Sequence, residues 1–114
     1  MNDKPLDLEA VQTRLREFAA ARDWEKFHTP KNLSAALSVE AAEIVELFQW
    51  LTPEESQSLG STPEGRAALE DEIADVMIYL ARLADVTGID IGRAVEAKIT
   101  RNETRFPAPQ ENGS

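Results

Sequence analysis

Two pairs of acidic residues have the spacing that would let their carboxylates act together. Glu40 and Glu43 are three positions apart, and so are Glu72 and Asp75. Three residues advance about 4.5 Å along an α-helix, so both members of a pair can reach one point beside it. Four carboxylates that face one another repel strongly unless metal ions lie between them. The spacing therefore predicts a cation site, provided that both pairs lie on neighbouring helices.

The helical periodicity supports this arrangement. At about 100° per residue, Glu40 falls inside one apolar stripe, and Glu72 falls inside the apolar stripe of a second helix. The stripes consist of Leu33, Leu37, Ile44, Leu47 and Leu51 on the first of these helices, and of Leu69, Ile73, Val76, Leu80 and Leu83 on the second. An isolated ionised carboxylate is costly in an apolar interior, so each acid is expected to find a cation or take up a proton.

Two simpler interpretations compete with a metal site. Most acidic helix faces are merely solvated, because Glu is a good helix former. That interpretation is the default for Glu46, Glu64, Glu70 and Asp71. A buried ion pair is the next alternative for Glu40 and Glu72, but we find no Lys or Arg on the same face of either helix. The metal interpretation is therefore preferred for these two acids.

The ligand types narrow the choice of metal. All four candidate ligands are carboxylates, neither pair contains histidine, and the chain has no cysteine. His28 is the only histidine and lies on neither of the two helices. Ligation by oxygen alone favours Mg²⁺, with Mn²⁺ as the alternative. Because protein-bound Mg²⁺ usually shares its coordination sphere with substrate phosphates, a phosphorylated ligand is expected.

The elements that position these acids are all predicted to be helical. Apolar residues recur at intervals of three and four, and no segment shows the alternation typical of a strand. Four long helices are predicted over residues 7–22, 32–51, 62–86 and 90–104. An irregular segment covers 23–31, Thr52-Pro53-Glu54-Glu55 opens a short helical turn, 60–62 is a loop, and 107–114 is a disordered tail. The predicted fold class is all-α, a bundle of antiparallel helices.

Length, composition and charge limit the remaining function classes. The chain has 114 residues and a net charge of −9, with 12 basic and 21 acidic residues, which fits one domain over 1–106 followed by the tail. An acidic surface argues against binding to a nucleic acid polymer or an anionic membrane. We find neither a secretion signal at the start nor an apolar stretch near the ~20 residues that cross a bilayer, so a cytoplasmic location is expected.

Longer motifs resemble a known family. Glu40-Ala-Ala-Glu43 followed by Glu72-Ile-Ala-Asp75 resembles the ExxE…ExxD signature of the MazG-like all-α nucleoside triphosphate pyrophosphohydrolases. The flanking sequences are similar to the dCTP pyrophosphatase branch of that family, in the same order and with the same spacing. These are FHTPKNL over 27–33, ELFQW over 46–50, DVMIYL over 75–80 and the Arg-Phe-Pro that ends at residue 107.

The resemblance implies a function and a form of assembly. It implies Mg²⁺-dependent hydrolysis of a (deoxy)nucleoside triphosphate, most closely dCTP or a related pyrimidine nucleotide, to the monophosphate and pyrophosphate. Glu40, Glu43, Glu72 and Asp75 would hold the metal. It also implies a four-helix bundle completed by self-association as a dimer or tetramer, and apolar residues outside the main stripe (Ala67, Met77, Ala81, Ala84) fit such a partner face.

Further residues receive roles beside this metal site. Glu46 is a spare acid that would orient or deprotonate the attacking water. Trp24, His28, Trp50 and Tyr79 are expected to bind the substrate's base, whereas Phe27 is expected to belong to the core, the commoner place for a lone aromatic. The basic strip of Lys98, Arg101, Asn102 and Arg105 would ordinarily be solvated, but the resemblance favours phosphate binding by Lys98 and Asn102.

Two other functions stay open on the sequence. A non-catalytic helical module would bind nucleotide and Mg²⁺ without turnover. An acidic helical adaptor would use neither a metal nor a nucleotide, so neither EDTA nor acid-to-amide substitutions would alter it.

Overall fold

The computed structural model describes residues 5–109, and these form helices joined by short connections, with no strand among them. The five α-helices are α1 (Leu8–Ala21), α2 (Pro30–Phe48), α3 (Pro53–Ser56), α4 (Pro63–Thr87) and α5 (Ile91–Arg105). Single 3₁₀ turns cover Glu25–Phe27 and Leu59–Ser61. The all-α fold class is confirmed, and the short α3 is the turn that the capping box predicted.

Side-chain caps fix where each helix begins. The cap oxygen accepts a hydrogen bond from the backbone N–H three residues later, which satisfies one of the free N–H groups of the first turn. The five capping residues are Asp7, Thr29, Thr52, Thr62 and Asp90. At the other end of α4, Gly88 adopts a φ of 72° and Ile89 N–H donates to Ala84 O at 2.9 Å. A side chain at Gly88 would strain this turn, so α4 ends where the sequence predicted.

The predicted bounds of α2 are wrong by two or three residues at each end. The helix begins at Pro30 rather than Asn32, because Thr29 is its cap and the proline occupies the first helical position. It ends at Phe48 rather than Leu51, because Leu51 N–H bonds to Phe48 O in a closing turn. Trp50 therefore follows the helix instead of ending it.

Helix α4 is the centre of the molecule, and α1 and α2 pack against it. Gln12 Nε2 donates to Ala81 O at 3.0 Å, which joins α1 to the C-terminal half of α4. Among residues 5–109, the buried apolar residues are Ala19, Leu33, Ala81 and Ala84. Ala81 and Ala84 thus pack inside the chain, and the prediction that they belong to a free partner face is wrong. Helix α5 makes only sparse contacts with the other helices.

The molecule is more extended than its length would give in a compact domain. Its radius of gyration is 18.0 Å and its extents are 59 × 36 × 32 Å, whereas a chain of this length packs to about 13 Å. Large apolar side chains on α4 and α5 are one-third to one-half exposed, among them Ile73, Met77, Val95 and Ile99. The chain therefore leaves part of the apolar surface of α4 and α5 exposed.

Two expectations concern the ends and the membrane. Residues 107–109 have no regular structure, and the remainder of the expected tail, like residues 1–4 of the expected domain, lies outside the described residues. Across 5–109 we find no helix that combines the length and the apolar character needed to span a bilayer.

Candidate active site

Three of the four predicted metal ligands meet between α2 and α4. Glu40, Glu43 and Glu72 each offer one carboxylate oxygen, and these oxygens lie within 4.8 Å of one another. We call these residues the acidic triad. All three side chains are half-buried. Glu40 and Glu43 come from the face of α2 that packs on α4, as the apolar periodicity around Glu40 predicted.

Two oxygens of the acidic triad lack any partner. Glu40 Oε2 and Glu72 Oε2 are shielded from solvent, and no hydrogen-bond donor of residues 5–109 reaches them. Buried polar atoms are nearly always hydrogen-bonded, and an unpaired carboxylate oxygen is especially costly. The triad therefore lacks a positive charge or a donor that would satisfy these oxygens.

The pKa values of the triad also indicate that a positive charge is missing. In its protonated form Glu72 can share a hydrogen bond with Glu43, which raises the pKa of Glu72 to about 7, with further contributions from burial and from the charges of Glu43, Glu40 and Asp75. The hydrogen bond with Glu43 is also the largest cause that raises the pKa of Glu40, followed by burial. Without a cation, Glu40 and Glu72 therefore give up their protons less readily than isolated glutamates do. A divalent cation would replace those protons.

The acidic triad fits Mg²⁺ or Mn²⁺ by its chemistry. Its donors are all hard carboxylate oxygens, and two of them have no other partner. Asp75, the fourth predicted ligand, is outside the triad, but its charge contributes to raising the pKa of both Glu40 and Glu72. The acidic triad can therefore bind a metal ion, with Asp75 beside it.

A cavity of about 210 Å³ adjoins these acids. Glu40 and Asp75 form one part of its wall, and the remainder is mostly aromatic and apolar, with Leu15, Phe18, Trp24, His28, Ile78, Tyr79 and Arg82. Trp24 meets Phe18 edge to face with ring centroids 5.6 Å apart, and it meets His28 similarly at 6.5 Å. We call this space the aromatic cavity. It unites a surface for a planar ring with the carboxylates that would hold a metal.

The chain reversal after α1 brings Trp24 and His28 into this cavity. Asp23 adopts a φ of 56°, and Trp24 N–H reaches back to Ala19 O at 2.9 Å. This is the left-handed helix ending that glycine usually supplies and that aspartate tolerates. Asn32 Nδ2 donates to Phe27 O at 3.0 Å and ties the segment to the start of α2. The irregular segment predicted at 23–31 is thus a defined connection.

A buried arginine, overlooked in the sequence, lies beside the aromatic cavity. The Arg82 side chain is only 7% exposed. Its Nε–H donates to His28 Nδ1 at 3.1 Å, and its Nη1 donates to Asp85 Oδ2 at 3.2 Å. Asp85 also accepts two hydrogen bonds from Arg16, at 2.8 and 3.0 Å. We call Arg16, His28, Arg82 and Asp85 the arginine network.

The arginine network is paired within the chain. The Arg16 hydrogen bond is the largest cause that lowers the pKa of Asp85, although burial opposes it. Burial lowers the pKa of His28, and the charge of Arg82 lowers it further, against the opposing charge of Glu25. The spacing of residues on α4 could have indicated that Arg82 lies beside the cavity. Tyr79 follows Asp75 by four residues and Arg82 follows Tyr79 by three, so all three lie on one helix face.

Several predicted site residues are not brought to this cavity. Glu46 is exposed on α2 and lies outside the acidic triad. Trp50, expected to bind the base, is 86% exposed beyond the end of α2 and does not line this cavity. Phe27, expected in the core, is 58% exposed. Lys98 and Asn102 lie on α5 and do not line the cavity.

Comparisons with known proteins show the family to which this chain belongs. The model of the MazG-like family matches residues 35–114, which include all four predicted metal ligands. The chain belongs to the MazG-like family. A crystal structure of a pyrophosphatase from Archaeoglobus fulgidus superposes with a TM-score of 0.82 at 39% identity, covering 95% of this chain and 99% of that one.

Curated relatives are more similar in sequence. This MazG-like chain is 45% identical over 107 residues to dCTP pyrophosphatase 1 of Rattus norvegicus and 48% identical over 101 residues to that of Homo sapiens. The matches cover 94% and 89% of this chain. The chain spans only 63% and 59% of the length of these two relatives.

Proposed function

We propose that this MazG-like protein hydrolyses a deoxynucleoside triphosphate, with dCTP as the preferred substrate, to the monophosphate and pyrophosphate. The observation that carries the proposal is the acidic triad, whose carboxylate oxygens lie within 4.8 Å of one another beside an aromatic cavity. Its relatives named dCTP pyrophosphatase 1 support the base and the reaction.

The proposed reaction is an in-line displacement at the α-phosphorus. Water forms a bond to that phosphorus, the bond to the bridging oxygen of the β-phosphate breaks, and pyrophosphate leaves with the bond's electron pair. Bound Mg²⁺ supplies neutralisation of the phosphate charge and orientation of the reacting groups. Glu40, Glu43, Glu72 and Asp75 would hold it through their carboxylates, because the triad's two unpaired oxygens need such a partner. The specific ion, Mg²⁺ rather than Mn²⁺, belongs to this proposal.

The proposed base site is the aromatic cavity. Trp24 and Tyr79 offer ring surfaces, and His28 offers a polar edge. The triphosphate would then run from this cavity across the acids. Glu46 remains the proposed residue that orients the attacking water and takes up its proton, one helical turn beyond Glu43 on α2.

Self-association is part of the proposal. The radius of gyration of 18.0 Å and the exposed apolar residues of α4 and α5 favour a dimer or tetramer. An apolar groove of about 260 Å³ between α4 and α5, lined by residues such as Leu80, Ile91 and Val95, adds to this surface. Because Trp50, Lys98 and Asn102 do not line the cavity of their own chain, we propose that they reach a substrate bound across the contact between two copies. Light scattering coupled to size exclusion measures the assembly directly.

The activity test uses purified protein, Mg²⁺ and a panel of nucleoside triphosphates. We expect pyrophosphate and dCMP from dCTP, with weaker turnover of purine nucleotides. In ¹⁸O-labelled water the label is expected in dCMP, because water attacks the α-phosphorus. Label in pyrophosphate, or release of orthophosphate, would contradict the proposed cleavage position.

Matched glutamate variants test the site. Glu72→Gln removes one charge from the acidic triad, whereas Glu70→Gln removes one from an exposed glutamate of the same helix that pairs with Arg66. Only the first is expected to abolish turnover. Saturable dCTP binding without product over long incubation would instead favour a non-catalytic nucleotide-binding module.

The proposed substrate also supports a cytoplasmic location, because nucleotide pools are used there.

A further inference from the structure

The hydrogen bond between Arg82 and His28 determines which imidazole nitrogen can donate. An arginine Nε always carries a hydrogen and never accepts. Because Arg82 Nε–H donates to His28 Nδ1 at 3.1 Å, that nitrogen must present its lone pair. A neutral imidazole has one donor and one acceptor nitrogen, so the hydrogen resides on Nε2.

The surroundings of Arg82 hold this contact in place. The side chain is 7% exposed, and its Nη1 donates a hydrogen bond to Asp85. Asp85 in turn accepts two hydrogen bonds from Arg16. A buried guanidinium with two fixed partners has little rotational freedom. Protonation of His28 would remove the acceptor and place two cations in contact, which agrees with the lowered pKa of this histidine.

The other imidazole nitrogen is free to act. His28 lines the aromatic cavity together with Trp24 and Tyr79. Among residues 5–109, Nε2 forms no hydrogen bond, whereas Nδ1 is occupied by Arg82. The cavity therefore presents a neutral N–H donor beside aromatic rings, which suits a planar heterocycle with an acceptor on its edge, such as the carbonyl oxygen or ring nitrogen of a pyrimidine.

We propose that Arg82 is a positioning residue for base recognition, holding His28 as the Nε2–H tautomer so that this group donates to an acceptor atom of the nucleobase. The proposal rests on the proposed function for the identity of the ligand, but not for the tautomer. The arginine would act entirely through the histidine and would not touch the substrate.

The first test is the tautomer in the nucleotide-free wild-type protein. Because His28 is the only histidine of the chain, ¹⁵N-histidine labelling and long-range ¹H–¹⁵N correlation give one imidazole pattern. We expect a protonated Nε2 and an unprotonated Nδ1 at neutral pH. A protonated Nδ1, or an averaged mixture of the two tautomers, would overturn the proposal. This test needs no variant to fold.

The second test separates positioning from structural support. Arg82→Met keeps the apolar stem of the side chain, about as far as the position of Nε, and removes its donors, while Arg16 continues to pair with Asp85. We expect an averaged tautomer signal. We also expect KM for dCTP to rise about three- to tenfold with a smaller change in kcat, since the base lies away from the reacting phosphorus.

A substrate without a base supplies the decisive control. For 1,2-dideoxyribose 5-triphosphate, which has no acceptor to meet Nε2–H, Arg82→Met is expected to leave KM unchanged. An equal loss with dCTP and with this analogue would overturn the proposal, because only structural damage acts on both alike. Arg16→Met is the matched variant, since it removes a guanidinium from Asp85 without contacting His28, and it is expected to keep the Nε2–H tautomer.

Failure of this inference differs from failure of the proposed function. An Nε2–H tautomer in a protein that hydrolyses no nucleotide would leave the positioning intact and refute the activity. Turnover of dCTP by a protein with a protonated Nδ1 would do the reverse.

Discussion

Helix α4 contributes to two clusters of partly buried charged side chains, which differ in whether their carboxylates are paired. In its middle, Glu72 meets Glu40 and Glu43 of α2, and two carboxylate oxygens have no partner. Nearer its C-terminal end, Asp85 accepts hydrogen bonds from Arg16 and Arg82. The acidic triad is incomplete as the chain alone forms it, whereas the arginine network satisfies its own carboxylate.

This difference suggests different roles for the two clusters: the acidic triad is suited to bind a cation, and the arginine network is suited to hold His28 in position. The opposite charges of the arginine network are most stable in one arrangement of their side chains. That arrangement holds His28 in place beside the aromatic cavity. Like charges in the acidic triad are destabilising alone and become favourable only with a cation. Removing one charge should therefore have opposite effects on stability in the two clusters, and only one of the clusters should govern turnover.

The largest expected effect is on activity. Glu72→Gln removes a proposed metal ligand, so pyrophosphate release from dCTP should fall at least about a hundredfold. In EDTA the same variant should unfold at no lower temperature than wild type, because it removes repulsion. Calorimetry and the pyrophosphate assay check both outcomes. A variant that loses activity only because it unfolds would contradict the comparison.

The next effect is on stability in the arginine network. Asp85→Asn leaves Arg82 buried without its carboxylate, which should lower the free energy of unfolding by about 3 kcal/mol. Urea denaturation monitored through the two tryptophans measures this loss. An unchanged denaturation midpoint would show that the buried pairing contributes nothing.

The pH dependence should also have opposite signs in the two clusters. The pKa of Glu72 is raised from 4.5 to about 7, so in EDTA its stabilising contribution is complete below pH 4.5 and is lost as the pH rises through 7. The pKa of Asp85 is lowered from 3.8, so its contribution is present above that value and is lost as the pH falls through its native-state pKa.

The measurement for this pH dependence is the difference in unfolding free energy between wild type and each amide variant. In EDTA, the difference for Glu72→Gln should decrease between about pH 5 and about pH 8. The difference for Asp85→Asn should be flat there and should shrink at acidic pH. Parallel curves for the two variants would contradict the distinction between the clusters.

The smallest effect is expected outside both clusters. Glu70→Gln breaks an exposed pair with Arg66 on α4, at 3.1 Å and with both side chains about two-thirds exposed. Such a pair contributes less than about 1 kcal/mol. Neither turnover nor Mg²⁺ binding should change, which makes this variant the reference for the other glutamates.

Local chemistry explains which features the sequence could predict. The predicted helices that begin at Asp7, Thr52, Thr62 and Asp90 are each capped by that residue, and such starts were predictable because capping depends on neighbouring residues only. The convergence of Glu40, Glu43 and Glu72 was also predictable, since a glutamate inside an apolar stripe faces the packed neighbour. The Thr29-Pro30 start was missed, although it repeats the pattern read correctly at Thr52-Pro53 and Thr62-Pro63.

Long-range geometry explains the remainder. Arg82 was overlooked because its partner His28 is 54 positions away in the chain, and because Arg16, which shares the partner Asp85 with it, is 69 positions away from that aspartate. The exposure of Trp50 depends on where α2 ends, and periodicity does not indicate that α5 makes only sparse contacts with the other helices. Periodicity gives the face of a helix but not the direction in which the chain leaves it.

The most direct test of the central claim is a crystal structure with Mg²⁺ and an α,β-imido analogue of dCTP. We expect Mg²⁺ held by carboxylate oxygens of Glu40, Glu43, Glu72 and Asp75 at distances of about 2.1 Å, with the α-phosphate in its coordination sphere and the base in the aromatic cavity. Carboxylates turned toward solvent with no cation among them, and nucleotide bound elsewhere, would contradict the account.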